Sequence, residues 1–133
     1  MIDSQRLERM PLFADLGDDE RAEVASHVHE VEVEAGAEIC MEGRNAYELF
    51  VIDEGEAEVR RGDETLARLG TGEVFGEVGV LVTGTRRATV VAVTPMRLLA
   101  IFTRDFKQLE SEIPVVAARV REVMGERVAR TSF

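Results

Sequence analysis

The residues best suited to chemistry lie in one short stretch, whose halves read FGEVGVL at positions 75–81 and GTRRATV at positions 84–90. A glycine such as Gly76 lets backbone N–H groups approach an anion. The carboxylate of Glu77 can accept a hydrogen bond from a sugar hydroxyl, and Arg86, nine residues later, can neutralise a phosphate. These residue types at this spacing predict a binding site for a sugar phosphate.

Glu77 most needs an explanation, because it stands inside the apolar run 74–81. A buried carboxylate is costly unless it is paired or hydrogen-bonded, and a ligand hydroxyl would satisfy it. The N–H groups of a short helical turn over Gly76, Glu77 and Val78 suit the oxygens of the same ligand. The alternative is that Glu77 is a solvated turn residue and Arg86 a surface cation.

This stretch resembles the phosphate-binding cassette of cyclic-nucleotide-binding domains, the module shared by bacterial catabolite activator proteins, protein kinase A regulatory subunits and cyclic-nucleotide-gated channels. The positions that carry the resemblance are Phe75, Gly76, Glu77, Gly79, Arg86, Ala88 and Thr89. Two positions depart from the family pattern, because Thr85 replaces the usual proline and Arg87 replaces a small residue.

The resemblance implies a role for each residue of the site. Arg86 is expected to contact the phosphate and is favoured over Arg87, since the following Ala-Thr fixes the register and successive strand residues point to opposite faces. Glu77 is expected to accept from the ribose. Further contacts are expected from the N–H groups of Gly76, Glu77 and Val78, from Gly79, Arg87 and Ala88, from Leu66 and Leu69 at the purine, and from Thr131 and Ser132 at the adenine amino group.

The preferred nucleotide is expected to be cAMP, with cGMP as the alternative. In cGMP-selective relatives a threonine at the position of Arg87 contacts the guanine amino group, and Arg87 lacks that hydroxyl. We therefore expect cGMP to bind no more tightly than cAMP.

The remaining sequence predicts mainly β structure with helices at both ends. Helices are expected over 4–10 and 18–28, the second capped by Asp18 or Asp19. Short β-rich runs separated by glycines are typical of a sandwich, barrel or roll. The resemblance selects an antiparallel, jelly-roll-like β-roll of about eight strands. The predicted strands are 31–34, 38–41, 47–53, 56–61, 65–69, 73–75, 88–93 and 96–102.

Helical structure is predicted again after the last strand. Thr103 is expected to cap a helix over 104–110, and Pro114 to begin a longer one. Apolar residues recur along the longer helix every three or four positions. In the resembled family this helix acts as a lid, a dimer surface or both. The apolar residues are Val116, Val120, Val123, Met124 and Val128.

Length and charge predict one acidic domain. The 133 residues are expected to form a single unit, with N-terminal helices over 4–28, the roll over 29–102, the cassette over 75–89 and C-terminal helices over 103–132. A net charge of −10 argues against DNA or anionic membranes as partners of this chain alone. The N-terminal residues resemble no signal peptide, so a cytoplasmic location is expected. The lone Cys40 is expected in the core.

Other chemistries have weaker support. His27 and His29 could lie on one strand face as in a metal-binding cupin, but they have no third histidine, so we expect a solvated pair and no metal. No nucleophile, P-loop or paired-carboxylate motif predicts an enzyme.

We therefore expect a regulatory module without a cofactor, in which a cyclic nucleotide repositions the C-terminal helix and a homodimer forms through it. The regulated partner is not evident from the sequence. The alternatives are a degenerate roll that serves as an interaction scaffold and the excised sensory half of a transcription regulator.

Overall fold

The computed structural model describes the backbone of residues 4–130 and the side chains of residues 4–122. Helices lie at both ends of the described chain, and an eight-stranded β structure lies between them. The helices are α1 (Ser4–Glu8), α2 (Asp18–Ser26), α3 (Thr103–Glu112) and α4 (Pro114–Arg130). The strands are β1 (His29–Val33), β2 (Glu38–Cys40), β3 (Glu48–Glu54), β4 (Ala57–Arg61), β5 (Glu64–Leu69), β6 (Val74–Phe75), β7 (Thr89–Ala92) and β8 (Met96–Phe102).

The strands form two antiparallel sheets of four. The first has the order β1-β8-β3-β6 and the second the order β2-β7-β4-β5. The predicted antiparallel roll with about eight strands and flanking helices is confirmed. Among the described residues, no helix combines the length and apolar composition needed to cross a bilayer.

The first sheet is covered on both faces, which explains the continuous apolar runs of its central strands β3 and β8. Alternate residues of β8 point to opposite sides: Leu99 and Ile101 pack among the helices, whereas Leu98 and Ala100 face the interior of the roll. By contrast, β4 in the second sheet alternates buried and more accessible residues, as expected for a strand with one solvated face.

The helix starts differ from the predictions. Gly17, not Asp18 or Asp19, is the N-cap of α2, and its N–H donates to Glu20 Oε1 at 3.0 Å. The two aspartates lie in the first turn, where carboxylates favour the helix dipole.

The predicted cap at Thr103 is also wrong. Phe102 is the N-cap of α3, and the Thr103 hydroxyl instead donates to the Tyr47 carbonyl oxygen at 3.2 Å. This contact ties α3 to the residue that precedes β3. Neither strand pairing nor this contact is visible from the local sequence around position 103.

Candidate functional site

The cassette joins the two sheets. β6 ends the first sheet, a helical segment with π geometry spans Gly79–Thr83, and β7 enters the second sheet. The segment 43–46 holds the end of this loop, because Ala46 N donates to Gly84 O at 2.9 Å and Arg86 N donates to Arg44 O at 2.7 Å. We call the segment Gly79–Thr83 the cassette helix.

Gly76 occupies the tight turn between β6 and the cassette helix. Its φ of +83° lies in the left-handed region, which disfavours side chains. A Cβ there would lie 2.7 Å from Arg86 Nη1. The position therefore demands glycine both for its backbone conformation and for the close approach of the arginine.

Arg86 is buried, and its guanidinium is fixed by two acceptors. Nη2 donates to Glu48 Oε1 at 2.7 Å, and Nη1 donates to the Gly76 carbonyl at 3.3 Å. The guanidinium carbon lies 5.8 Å from the centroid of the Phe50 ring. Ion pairing with Glu48 compensates for the burial of Arg86.

Arg87 points the other way and is exposed, while its carbonyl accepts a hydrogen bond from Arg61 Nε at 3.1 Å. Ala88 is buried among the interior residues of the roll. The burial of Arg86 and the exposure of Arg87 match the alternation of successive strand residues. The direct role of either arginine toward a ligand stays a prediction.

Glu77, Val78 and Gly79 are buried at the start of the cassette helix. The alternative reading of Glu77 as a solvated turn residue is therefore wrong, and so is that of Arg86 as a surface cation. Space explains the small residue at position 79, since a Cβ on Gly79 would lie 2.8 Å from Ala46 Cβ and 3.0 Å from the Thr85 carbonyl oxygen.

A small cavity of about 20 Å³ lies beside Arg86. Burial raises the pKa of the Cys40 thiol, which lines this cavity, to about 12. The thiol is therefore neutral at physiological pH, and the prediction of Cys40 as a core residue is confirmed. The other lining residues are Gly76, Arg86, Arg87, Ala88 and Val90.

Of the other residues predicted to contact the ligand, two lie in the described part of the chain and two do not. Leu69 belongs to the interior core, and Leu66 on the same strand packs partly buried against that core. Both residues therefore contact the interior core. Thr131 and Ser132 lie outside the described residues.

Only one of the two histidines is solvated as the sequence predicts, because His29 is exposed whereas His27 is not. His27 is mostly buried, with Nε2 3.3 Å from Glu23 Oε1 and Nδ1 3.4 Å from Asp105 Oδ1. His29 Nε2 lies 3.4 Å from the other oxygen of Asp105. Glu112 completes this group of carboxylates at 3.7 Å from His27 Nε2. The packing of α3 beside α2 brings these distant residues together.

Glu48 is the site residue that sequence reasoning missed. It stands at the first position of β3, 38 residues before Arg86, and directly precedes the buried run 49–52. A carboxylate beside an apolar run is a weak indication of a site residue. Only the folded structure shows which cation such a carboxylate contacts.

Comparison with known proteins supports a common family for this fold and cassette. The family model described as "Cyclic nucleotide-binding domain" matches residues 30–112. A cyclic nucleotide-gated potassium channel of Rhizobium etli is 35% identical over 123 residues, covering 92% of this chain and 34% of the channel. A cAMP-dependent protein kinase regulatory subunit of Mycosarcoma maydis is 31% identical over 127 residues, covering 88% of this chain and 24% of the subunit.

A similar solved structure is the crystal structure of Thermus thermophilus catabolite activator protein. It has a TM-score of 0.81 and 31% identity, and the match covers 90% of this chain and 58% of that one. The chain thus spans about a third of the channel, about a quarter of the kinase subunit and somewhat more than half of the activator.

Proposed function

The chain belongs to the cyclic nucleotide-binding domain family, and we propose that its cassette binds a cyclic nucleotide, with cAMP preferred over cGMP. The observation that carries the proposal is the buried guanidinium of Arg86, which contacts Gly76 just before the cassette helix. A fixed cation near the start of a helical turn suits an anionic ligand. The names of the kinase subunit and the channel refer to cAMP and to cyclic nucleotides, respectively, which also supports the proposal.

In this proposal each residue of the binding site has one role. Arg86 pairs with the phosphate, Glu77 accepts from the ribose hydroxyl, and the N–H groups of Gly76, Glu77 and Val78 bind the phosphate oxygens. Leu66 and Leu69 provide apolar contact for the purine, and Thr131 and Ser132 contact adenine. Gly79 allows the close approach of the segment 43–46 that holds the loop.

Binding further repositions α4 in this proposal. Val80 and Leu81 of the cassette helix pack against the same apolar cluster that buries Val116 and Val120 of α4. A ligand that shifts the cassette helix thereby changes the surface on which α4 rests. The ligand acts by favouring one of two arrangements of this packing.

The second candidate function is an interaction scaffold that has lost its ligand. The Glu48–Arg86 ion pair and the 20 Å³ cavity favour it, because the proposed phosphate partner already has a counterion. The match to somewhat more than half of the catabolite activator supports a related proposal, in which the chain is the sensory part of a transcription regulator.

Titration with cAMP separates binding from the scaffold. We expect cAMP at a hundredfold excess over its dissociation constant to stabilise the protein by about 2.7 kcal/mol, which corresponds to a rise in Tm on the order of 10 °C. The control ligand is 5′-AMP, which carries the same base without the cyclic phosphate. An unchanged Tm at millimolar cAMP would support the scaffold.

Competition between cAMP and cGMP tests the proposed preference. We expect cGMP to bind no more tightly than cAMP, because the exposed Arg87 provides no hydroxyl for the guanine amino group. Calorimetric titration with each nucleotide provides both dissociation constants. A clear preference for cGMP would show that position 87 has been misinterpreted.

A further inference from the structure

Arg86, the residue proposed to bind the phosphate, already forms an ion pair with the carboxylate of Glu48. Glu48 Oε1 lies 2.7 Å from Arg86 Nη2, which is a short charge-assisted contact. The arginine side chain is 5% exposed and the glutamate side chain 23% exposed. The guanidinium therefore has a carboxylate counterion within its own buried surroundings.

The space beside Arg86 is narrow. The cavity of about 20 Å³ offers room for about one water molecule. On the other side of the guanidinium, Nη1 donates to the Gly76 carbonyl at 3.3 Å. A phosphate that pairs with Arg86 Nη2 therefore has to displace the Glu48 carboxylate from it.

The local charge also opposes a second anion. Glu48 carries a negative charge 2.7 Å from Arg86 Nη2, and burial together with the charges of Glu48 and Glu77 raises the pKa of the Cys40 thiol. Arg87 borders the same cavity but is exposed, so water screens its charge more than that of the buried Arg86. A phosphate added beside Glu48 meets like charge as well as the cation it binds.

We propose that Glu48 is an internal anion that competes with the ligand phosphate for Arg86 and thereby lowers the affinity of the site. This inference rests on the proposed function. An incoming phosphate displaces the Glu48 carboxylate from Nη2, and the binding free energy is reduced by the ion pair that is lost. Glu48 thus sets the ligand concentration at which the module responds.

The substitution Glu48→Gln tests the inference. Glutamine has nearly the same shape and its carbonyl can still accept from Arg86, but it has no charge. We expect Glu48→Gln to bind cAMP at least tenfold more tightly than the wild type in calorimetric titration. The matched control is Glu54→Gln, which removes the same charge from the exposed far end of β3 and should change the affinity by less than twofold.

A second uncharged variant, Glu48→Ser, guards against an effect of side-chain shape or of incomplete folding. It should also bind cAMP more tightly, and circular dichroism shows whether each variant is folded. If the wild type binds cAMP and both variants bind equally or less tightly, the inference is wrong and Glu48 instead positions Arg86. If none of the three binds cAMP at millimolar concentration, the proposed function is wrong and the inference falls with it.

Discussion

At the scale of single residues, adjacent arginines have different surroundings. Arg86 is buried against Glu48, Gly76 and Phe50, whereas Arg87 is exposed. A charge-assisted contact in buried surroundings contributes more free energy than an exposed ion pair, since water screens the exposed pair. Substitution of the two arginines should therefore affect both binding and stability differently.

We expect Arg86→Ala to lower cAMP affinity at least tenfold and Arg87→Ala to lower it less than about fivefold. Arg86→Ala should also lower the free energy of unfolding by about 1–3 kcal/mol, because it leaves Glu48 beside an apolar core without its counterion. Arg87→Ala should change that free energy by less than about 0.5 kcal/mol. Calorimetric titration at two salt concentrations and urea unfolding measure both quantities. Greater damage from Arg87→Ala would place the cassette register one residue away.

At the scale of the elements, turns between strands differ in how closely they are packed. Gly36 follows β1 and Gly55 follows β3, and both have a positive φ, +90° and +106°. A Cβ on Gly36 would meet nothing within 4 Å. A Cβ on Gly55 would lie 2.7 Å from the Pro95 carbonyl oxygen and 2.8 Å from Met96 Cγ. The turn at Gly55 therefore packs closely against the start of β8.

Alanine at these two glycines should separate backbone strain from crowding. Gly36→Ala should cost about 1–2 kcal/mol for the left-handed conformation alone. Gly55→Ala should cost at least about 1 kcal/mol more, because the Pro95 backbone cannot yield as a flexible side chain can. Urea unfolding of both variants measures the difference. Equal losses would mean that the turn at Gly55 relaxes freely.

At the scale of the whole molecule, the first sheet separates two apolar cores and belongs to both. The helices cover one face through a cluster that includes Leu99, and the roll interior lies on the other face with Leu98. Both leucines are fully buried on β8. Arg6 further ties α1 to the sheet through ion pairs with Glu30 and Asp53. Loss of either core therefore removes support from the other.

Leu98→Ala and Leu99→Ala should each lower the free energy of unfolding by about 2–5 kcal/mol, through lost burial and a residual cavity. Both variants should unfold in one transition, with far-UV circular dichroism and Tyr47 fluorescence coinciding. Val82→Ala is the control, because Val82 is exposed, and it should change stability by less than about 0.5 kcal/mol. Two separate transitions in either leucine variant would show that the cores unfold independently.

The sequence by itself determined the features that depend on short-range pattern. The cassette was recognisable because its residues lie within fifteen positions of one another, from Phe75 to Thr89. The strands were evident from short apolar runs between glycines, and the opposite orientation of Arg86 and Arg87 followed from strand alternation. These patterns involve residues that are close together in the sequence. They therefore indicate local conformation and family membership without knowledge of contacts between distant segments.

Only the tertiary structure decided the partners of the charged residues. Arg86 meets Glu48 across 38 positions, and His27 meets Asp105 across 78. Local sequence cannot specify such pairs, because they arise when sheet pairing and helix packing bring separate segments together. For the same reason Thr103 binds the Tyr47 carbonyl instead of capping its helix. The burial of Arg86, and with it the role proposed for Glu48, is therefore a property of the folded chain.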